Sequence, residues 1–298
     1  MTPYVSGFVA IVGRPNVGKS TFLNQVLGQK ISIVSDKPQT TRNKILGVKH
    51  LPTGQIIFFD TPGIHHPAER EKLRLNQRMV QTARSAVREV DLILLLIEPQ
   101  RTSEDQLLFD ILRNIKTPRI LVVNKIDLVG KSKLIPLLDG LRDEKDDFSE
   151  MIPICAKTGE NMDKLIDLTL SYLPEGMPYF PEDQVTDQPV RFLASEIVRE
   201  KVIEKTHDEI PYVVSVQIEK FREDEIKALI HIEITIYVEK DSQKGILIGR
   251  KGGMLKEIGS AARLELEGLL ATKVFLQLWV KVKKEWRKND LFLNEMGY

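Results

Sequence analysis

The first half of the chain alternates unbroken apolar runs with longer amphipathic stretches. Phe8-Val9-Ala10-Ile11-Val12, Ile56-Ile57-Phe58-Phe59, Leu92 through Ile97, and Ile120-Leu121-Val122-Val123 are continuous, with Ile152 and Ile154 marking a shorter run. Continuous rather than alternating apolarity marks strands buried on both faces of a sheet. The mixed stretches between them, about 69–89, 104–115 and 161–173, read as helices. Strand–helix alternation of this kind predicts an α/β domain with a mostly parallel, doubly wound sheet.

The pattern changes at Pro174. Four prolines (Pro174, Pro178, Pro181, Pro189) fall within 174–189 among acidic and polar residues, so the segment can neither continue a helix nor sit centrally in a sheet. Beyond it the order is a helix over about 192–205, strands over 212–218 and 230–238, a Gly-rich turn at 249–253, a helix to about 268 and a last strand over 274–282. The predicted organisation is therefore an α/β domain over 1–173, a Pro-rich linker over 174–190 and a smaller α+β domain over 191–298.

Composition narrows the picture. A chain of 298 residues fits two domains. With 43 Lys+Arg against 42 Asp+Glu the net charge is +1, which excludes a bulk polycation, so any nucleic-acid binding must come from local patches. A lone Cys155 excludes a disulfide framework or a Cys-built metal site and fits a reducing cytosol. The longest apolar run is far too short to span a bilayer, and no basic region precedes an apolar stretch at the N-terminus. A cytoplasmic location is expected, with any membrane contact peripheral.

Candidate chemistry begins directly after the first apolar run. Gly13-Arg14-Pro15-Asn16-Val17-Gly18-Lys19-Ser20, followed by Thr21, matches G-x-x-x-x-G-K-[ST] between a predicted strand and a predicted helix. The glycines let backbone N–H groups curl around an anion, Lys19 supplies a point charge to outer phosphates, and the Ser20 hydroxyl is a hard ligand for Mg²⁺. Asp60-Thr61-Pro62-Gly63 closes the second run. Asp60 at a strand's C-terminal end can hold Mg²⁺ through water, and the Gly63 N–H can sense a γ-phosphate.

Asn124-Lys125-Ile126-Asp127 follows a later strand. The Asp127 carboxylate can accept from guanine N1–H and the 2-amino group, donors that adenine does not offer there. Cys155-Ala156-Lys157 can give a backbone N–H to the guanine oxygen. Four motifs in order, each at a strand end, point to a GTP/GDP site with Mg²⁺ and argue against ATP.

Between the phosphate loop and Asp60 lies Lys37-Pro38-Gln39-Thr40-Thr41-Arg42, where a threonine hydroxyl can complete the Mg²⁺ shell only while a γ-phosphate is present. Thr41 is preferred over Thr40. The residue after Gly63, where many GTPases carry a water-orienting Gln, is Ile64, so the expected catalytic set is limited to Lys19, Asn16, Thr41 and Gly63. Asn16 has two readings, a ligand for K⁺ acting at the phosphates or a loop-shaping residue. His65 and His66 are either a base or solvated loop histidines.

In the second domain bases are segregated. Lys244, Arg250, Lys251 and Lys256 lie in a stretch without an acid, and Lys273, Lys281, Lys283, Lys284, Arg287 and Lys288 share a stretch with Glu285 alone. Ile248-Gly249-Arg250-Lys251-Gly252-Gly253 forms a G-x-x-G turn feeding a helix. Such a turn lets the chain approach a sugar-phosphate backbone closely, with Ile246, Ile248, Leu255 and Ile258 expected to form an adjoining apolar groove for single-stranded bases. Set in an α-β-β-α-α-β order, the turn reads as that of a type II KH domain. Trp279 and Trp286 either stack on bases or pack internally.

Taken together, GRPNVGKST, KPQTTR, DTPGIHHP, NKID, the hinge from PEGMPYFPEDQ to TDQPVRFLASEIVREK, IGRKGGMLKEIG and LQLWVKVKKEWR resemble the Era family of bacterial GTPases over essentially the whole chain. The resemblance implies a Ras-like P-loop GTPase domain joined to a C-terminal KH domain. It also implies GTP hydrolysis, binding near the 3′ end of 16S rRNA, a role in maturation of the 30S subunit, and peripheral membrane association with links to cell-cycle control. Cys155 stands where the family motif usually has Ser. Two other readings remain at this level, an accessory GTPase to an RNA-modifying enzyme and a membrane-surface GTPase. No coiled coil or large apolar stripe points beyond a monomer.

Overall fold

The computed structural model describes residues 3–37, 39–63, 73–100, 102–141 and 148–298. The described residues among 1–32, 41–71 and 77–187 form one compact unit, and those among 33–40, 72–76 and 188–298 form a second.

The first unit is built on six strands: β1 (Val5–Gly13), β2 (Ile45–Leu51), β3 (Gly54–Asp60), β4 (Leu92–Ile97), β5 (Arg119–Val123) and β6 (Glu150–Pro153). Their order in the sheet is β2-β3-β1-β4-β5-β6. All pairings are parallel except the β2–β3 hairpin. Every residue of β4 is fully buried, as its unbroken apolarity requires. Helices α1 (Lys19–Leu27), α2 (Arg74–Ala86), α3 (Ser103–Leu112) and α4 (Lys131–Gly140) lie between successive strands, and α5 (Met162–Ser171) follows β6. Parallel register brings the C-terminal ends of β1, β3, β4 and β5 to one edge, with Ile11 opposite Asp60, Gly13 opposite Leu96 and Ile97 opposite Val123. That edge is where an open parallel sheet presents its crevice.

The Pro-rich segment lies along this first unit. The Val48 N–H donates to the Val185 carbonyl at 2.7 Å, and the Thr186 hydroxyl to the Leu46 carbonyl at 2.6 Å. Gln55 binds the Phe180 carbonyl and the Tyr179 N–H, each at 2.8 Å. The segment thus supplies partners to the outer strand β2, an exposed edge that would otherwise carry open backbone groups.

The second unit contains α6 (Val190–Lys205), a helical turn α7 (Ile210–Val213), β7 (Ser215–Asp224), β8 (Leu229–Val238), α8 (Asp241–Ile248), α9 (Gly253–Leu270), β9 (Lys273–Val282) and α10 (Asp290–Glu295). The sheet order is β7-β8-β9, with β7 antiparallel and β9 parallel to β8. The strand expected over 212–218 starts only at Ser215. Pro211 in the first turn of α7 is pre-set for a helical turn and has no N–H to give a sheet. Ile232, Ile234 and Ile236 of β8 are fully buried and share a core with Val198 and Val202 of α6 and Ile258, Ala262 and Leu266 of α9. Trp286 is also core, with its indole N–H on the Val213 carbonyl at 2.9 Å and Phe292 and Tyr298 against its ring. Among the described residues no helix is long and apolar enough to cross a membrane.

Candidate functional site

The turn between β1 and α1 carries the phosphate-loop residues. Asn16 has φ 66° and Gly18 φ 97°, so the loop reverses through two left-handed positions, one tolerated by Asn and one by Gly. Val17 is buried, and Thr21 is half-buried in the first turn of α1. The Lys19 ammonium is buried and donates to the Gly13 carbonyl at 3.0 Å and the Arg14 carbonyl at 2.8 Å, at the N-terminus of α1. Burial pulls the Lys19 pKa down to about 8; Asp60 opposes the shift and Arg14 adds to it. A polyphosphate at that helix N-terminus would supply the counter-charge.

Ser20, Thr41 and Asp60 converge below it. The Ser20 hydroxyl donates to Asp60 Oδ2 at 2.7 Å and lies 2.9 Å from the Thr41 hydroxyl, while the Ser32 hydroxyl donates to the same Oδ2 at 2.9 Å. Asp60 Oδ1 is buried with no partner among the described residues. Burial raises the Asp60 pKa against the pull of Lys19 and its hydroxyl and backbone donors. Hard oxygens around a buried carboxylate with one unpartnered oxygen are a donor set suited to Mg²⁺. Thr40 instead turns its hydroxyl to the Lys37 carbonyl at 2.6 Å. Gly63 presses on the loop: a Cβ there would stand 2.7 Å from the Pro15 nitrogen. Ile64, His65 and His66 lie outside the described residues, as does Pro38.

The ends of β5 and β6 carry the base-reading candidates. The Asn124 amide donates to the Val17 carbonyl at 2.7 Å and accepts from the Ala156 N–H at 2.9 Å, so one side chain ties three segments together. Lys125, at φ 62°, donates to the Asn16 carbonyl at 2.6 Å. Asp127 is exposed, and its Oδ1 accepts from the buried Cys155 thiol, a weak donor, at 3.1 Å. Lys157 is exposed.

The sequence reading missed Glu98, just beyond β4. Its carboxylate takes Arg14 on one oxygen and Lys125 on the other, both at 2.5 Å, and Arg14 also faces Asp105 at 3.4 Å. Burial works against the charge of Glu98, yet Lys125 and then Arg14 hold its carboxyl below the ordinary range. No local motif marks an acid whose partners lie 84 and 27 residues away.

In the second unit, Gly249 (φ 69°), Lys251 (φ 51°) and Gly252 (φ 78°) shape the turn into α9. Arg250 and Lys251 are exposed, Lys244 and Ile248 half-exposed. Ile258 belongs to the core rather than to a groove, because it faces the sheet from α9; Ile246 is 48 % exposed. Among the described residues Lys244, Arg250, Lys251 and Lys256 form no salt bridge. Lys273, Lys281, Arg287 and Lys288 are each paired, with Glu267, Glu219, Glu239 and Glu285.

The fold and the site define a P-loop GTP-binding domain followed by a KH domain. Residues 8–125 match the family described as "50S ribosome-binding GTPase" and residues 209–287 the KH domain family. The chain is 51% identical to GTPase Era of Geobacter metallireducens, over 99% of this chain and 98% of that one. It superimposes with a TM-score of 0.95, at 43% identity over 99% of both chains, on a crystal structure of Era in complex with MgGDPNP and nucleotides 1506–1542 of 16S ribosomal RNA. An Aquifex aeolicus Era variant bound to GDP·AlF4⁻ gives 0.94 at 42% identity, again over 99% of both. The chain belongs to the Era family of GTPases and is a GTP hydrolase.

Proposed function

We propose that the chain is a GTP-controlled RNA-binding switch that recognises the 3′ region of 16S rRNA and acts in assembly of the 30S ribosomal subunit. The observation that carries the RNA half is that Lys244, Arg250, Lys251 and Lys256, on and around the G-x-x-G turn, form no salt bridge among the described residues, beside a second basic stretch in which Lys273, Lys281, Arg287 and Lys288 are each paired with an acid. An unpaired base is available to a phosphate, and two glycines at positive φ keep side chains out of the backbone's way. The relative crystallised with nucleotides 1506–1542 names the RNA.

The GTP half follows from the first unit. Lys19 and the α1 N-terminus bind the β- and γ-phosphates and stabilise charge there, and the Gly63 N–H reports the γ-phosphate. Ser20, Thr41 and Asp60 would hold Mg²⁺, which screens phosphate charge and orients the triphosphate. Asn124 fixes the base pocket to the phosphate loop, and Asp127 accepts from guanine, with the Cys155–Ala156–Lys157 turn giving a backbone donor. Residue 64 is Ile, whose side chain cannot orient a water, so slow intrinsic hydrolysis is expected. The lone Cys155, a buried free thiol, supports a cytosolic location. The chain acts as a monomer, with any membrane contact peripheral.

The test is equilibrium binding to a fluorescent RNA carrying the 16S 3′ sequence, in the presence of a GTP analogue. The wild type should prefer it over a scrambled strand of equal length. A paired Arg250→Ser, Lys251→Ser variant should bind at least about tenfold more weakly, with a salt slope smaller by about 1.4. Equal binding of the scrambled strand, or an unchanged slope, would contradict the reading.

A further inference from the structure

Glu98 stands one residue beyond β4, at the sheet edge that also carries the phosphate loop and the loop 124–127. Its Oε2 accepts from Arg14 Nη2 and its Oε1 from Lys125 Nζ, each at 2.5 Å. The same Lys125 ammonium donates to the Asn16 carbonyl at 2.6 Å, and the buried Asp105 faces Arg14 Nε at 3.4 Å. Asp105 is itself fixed, because its Oδ2 accepts from the Thr102 N–H at 2.8 Å where α3 begins. One carboxylate thus joins the phosphate loop to the loop that follows β5, with β4 and α3 as the frame.

An acid is not what a phosphate site calls for. Ion pairs that keep some exposure, as Glu98 does at 22%, add little to stability. A carboxylate in contact with a phosphate-binding loop also repels an anionic ligand, over distances too short for salt to screen. What it supplies is geometry. Charge-assisted hydrogen bonds are short and directional, and two on one carboxylate set the separation of the groups they join. Lys125 has φ 62°, a conformation that a non-glycine residue keeps only where its surroundings over-determine it.

We propose that Glu98 is a positioning residue of the nucleotide site: by bridging Arg14 and Lys125 it sets the distance between the loop that takes the phosphates and the loop that takes the base. This rests on the reading of residues 13–20 as the phosphate site and of Asp127 as the guanine acceptor. A nucleotide spans both loops, so it binds more tightly when their separation is set beforehand. A ligand that fills the phosphate loop alone gains nothing from the bridge. Loss of Glu98 therefore weakens GDP, whereas pyrophosphate, relieved of a nearby negative charge, binds as before or more tightly. Charge alone would tighten both.

The test measures GDP and pyrophosphate as competitors of a fluorescent GDP on the full-length chain, at one Mg²⁺ concentration. Glu98→Ala should lose about tenfold in GDP affinity, with pyrophosphate unchanged or tighter. Glu98→Gln keeps an acceptor for Lys125 but turns a donor towards Arg14, so its GDP affinity should fall between those of Glu98→Ala and the wild type. Wild-type GDP affinity in both variants, or a pyrophosphate loss equal to the GDP loss, overturns the proposal. Should Glu98→Ala fail to fold, Glu98→Gln decides by the same two affinities.

A third variant, Asp127→Ala, tests the base reading by itself. It should weaken GDP and spare pyrophosphate while Glu98 is intact. If it leaves GDP affinity unchanged, the base reading has failed, and the bridge, with no second loop to serve, falls with it.

Discussion

Lys19 is the residue whose chemistry makes the sharpest demand on experiment. With its pKa near 8 in the free protein, the ammonium is already partly neutral just above that pH. A bound triphosphate stabilises the charged form and raises the pKa, so binding above pH 8 must take up a proton. The sign follows: affinity is flat with respect to this group below pH 8 and falls towards one decade per unit above it. Calorimetry in two buffers of different ionisation enthalpy should give almost no proton uptake at pH 7 and about three quarters of a proton at pH 8.5. No uptake at pH 8.5 would mean that Asp60 and the loop carbonyls keep Lys19 charged without nucleotide. The placing of Lys19, Asp60, Asn124 and Asp127 at or just beyond strand ends was legible because they sit in short local patterns. Glu98 was not, because only the fold brings Arg14 and Lys125 to it.

Among the elements, the G-x-x-G turn separates what a glycine does for the fold from what it does for a ligand. A Cβ on Gly249 would stand 2.7 Å from the Met254 Cβ and 2.9 Å from its nitrogen, whereas one on Gly252 meets nothing within 4 Å. Gly249→Ala should therefore cost about 2 kcal/mol of stability in urea unfolding, from contact and positive-φ strain together. Gly252→Asp should stay within about 1 kcal/mol of wild type, since Asp tolerates left-handed backbone, while a carboxylate in the turn repels RNA. Equal destabilisation by both would contradict this division. The strands buried on both faces and the order of elements in the second domain could be read from apolar patterning. The hairpin strand β2 could not, because Gly47, Lys49 and His50 interrupt its apolar positions and the Pro-rich segment supplies its partners. The helical turn α7 hid inside an apolar run that reads as strand until Pro211 is weighed.

At the scale of the molecule, one chain carries a GTP-binding domain and a KH domain. If the chain is the switch proposed above, occupancy of the nucleotide site and RNA binding should be coupled.

Crosslinking and sequencing of bound RNA tests that coupling most directly, with the chain loaded with a non-hydrolysable GTP analogue, with GDP, and as Gly252→Asp with the analogue. The account predicts a single site near the 3′ end of 16S rRNA, strong with the analogue, weak with GDP and lost in the variant. Diffuse crosslinks indifferent to nucleotide and to Gly252 would contradict it.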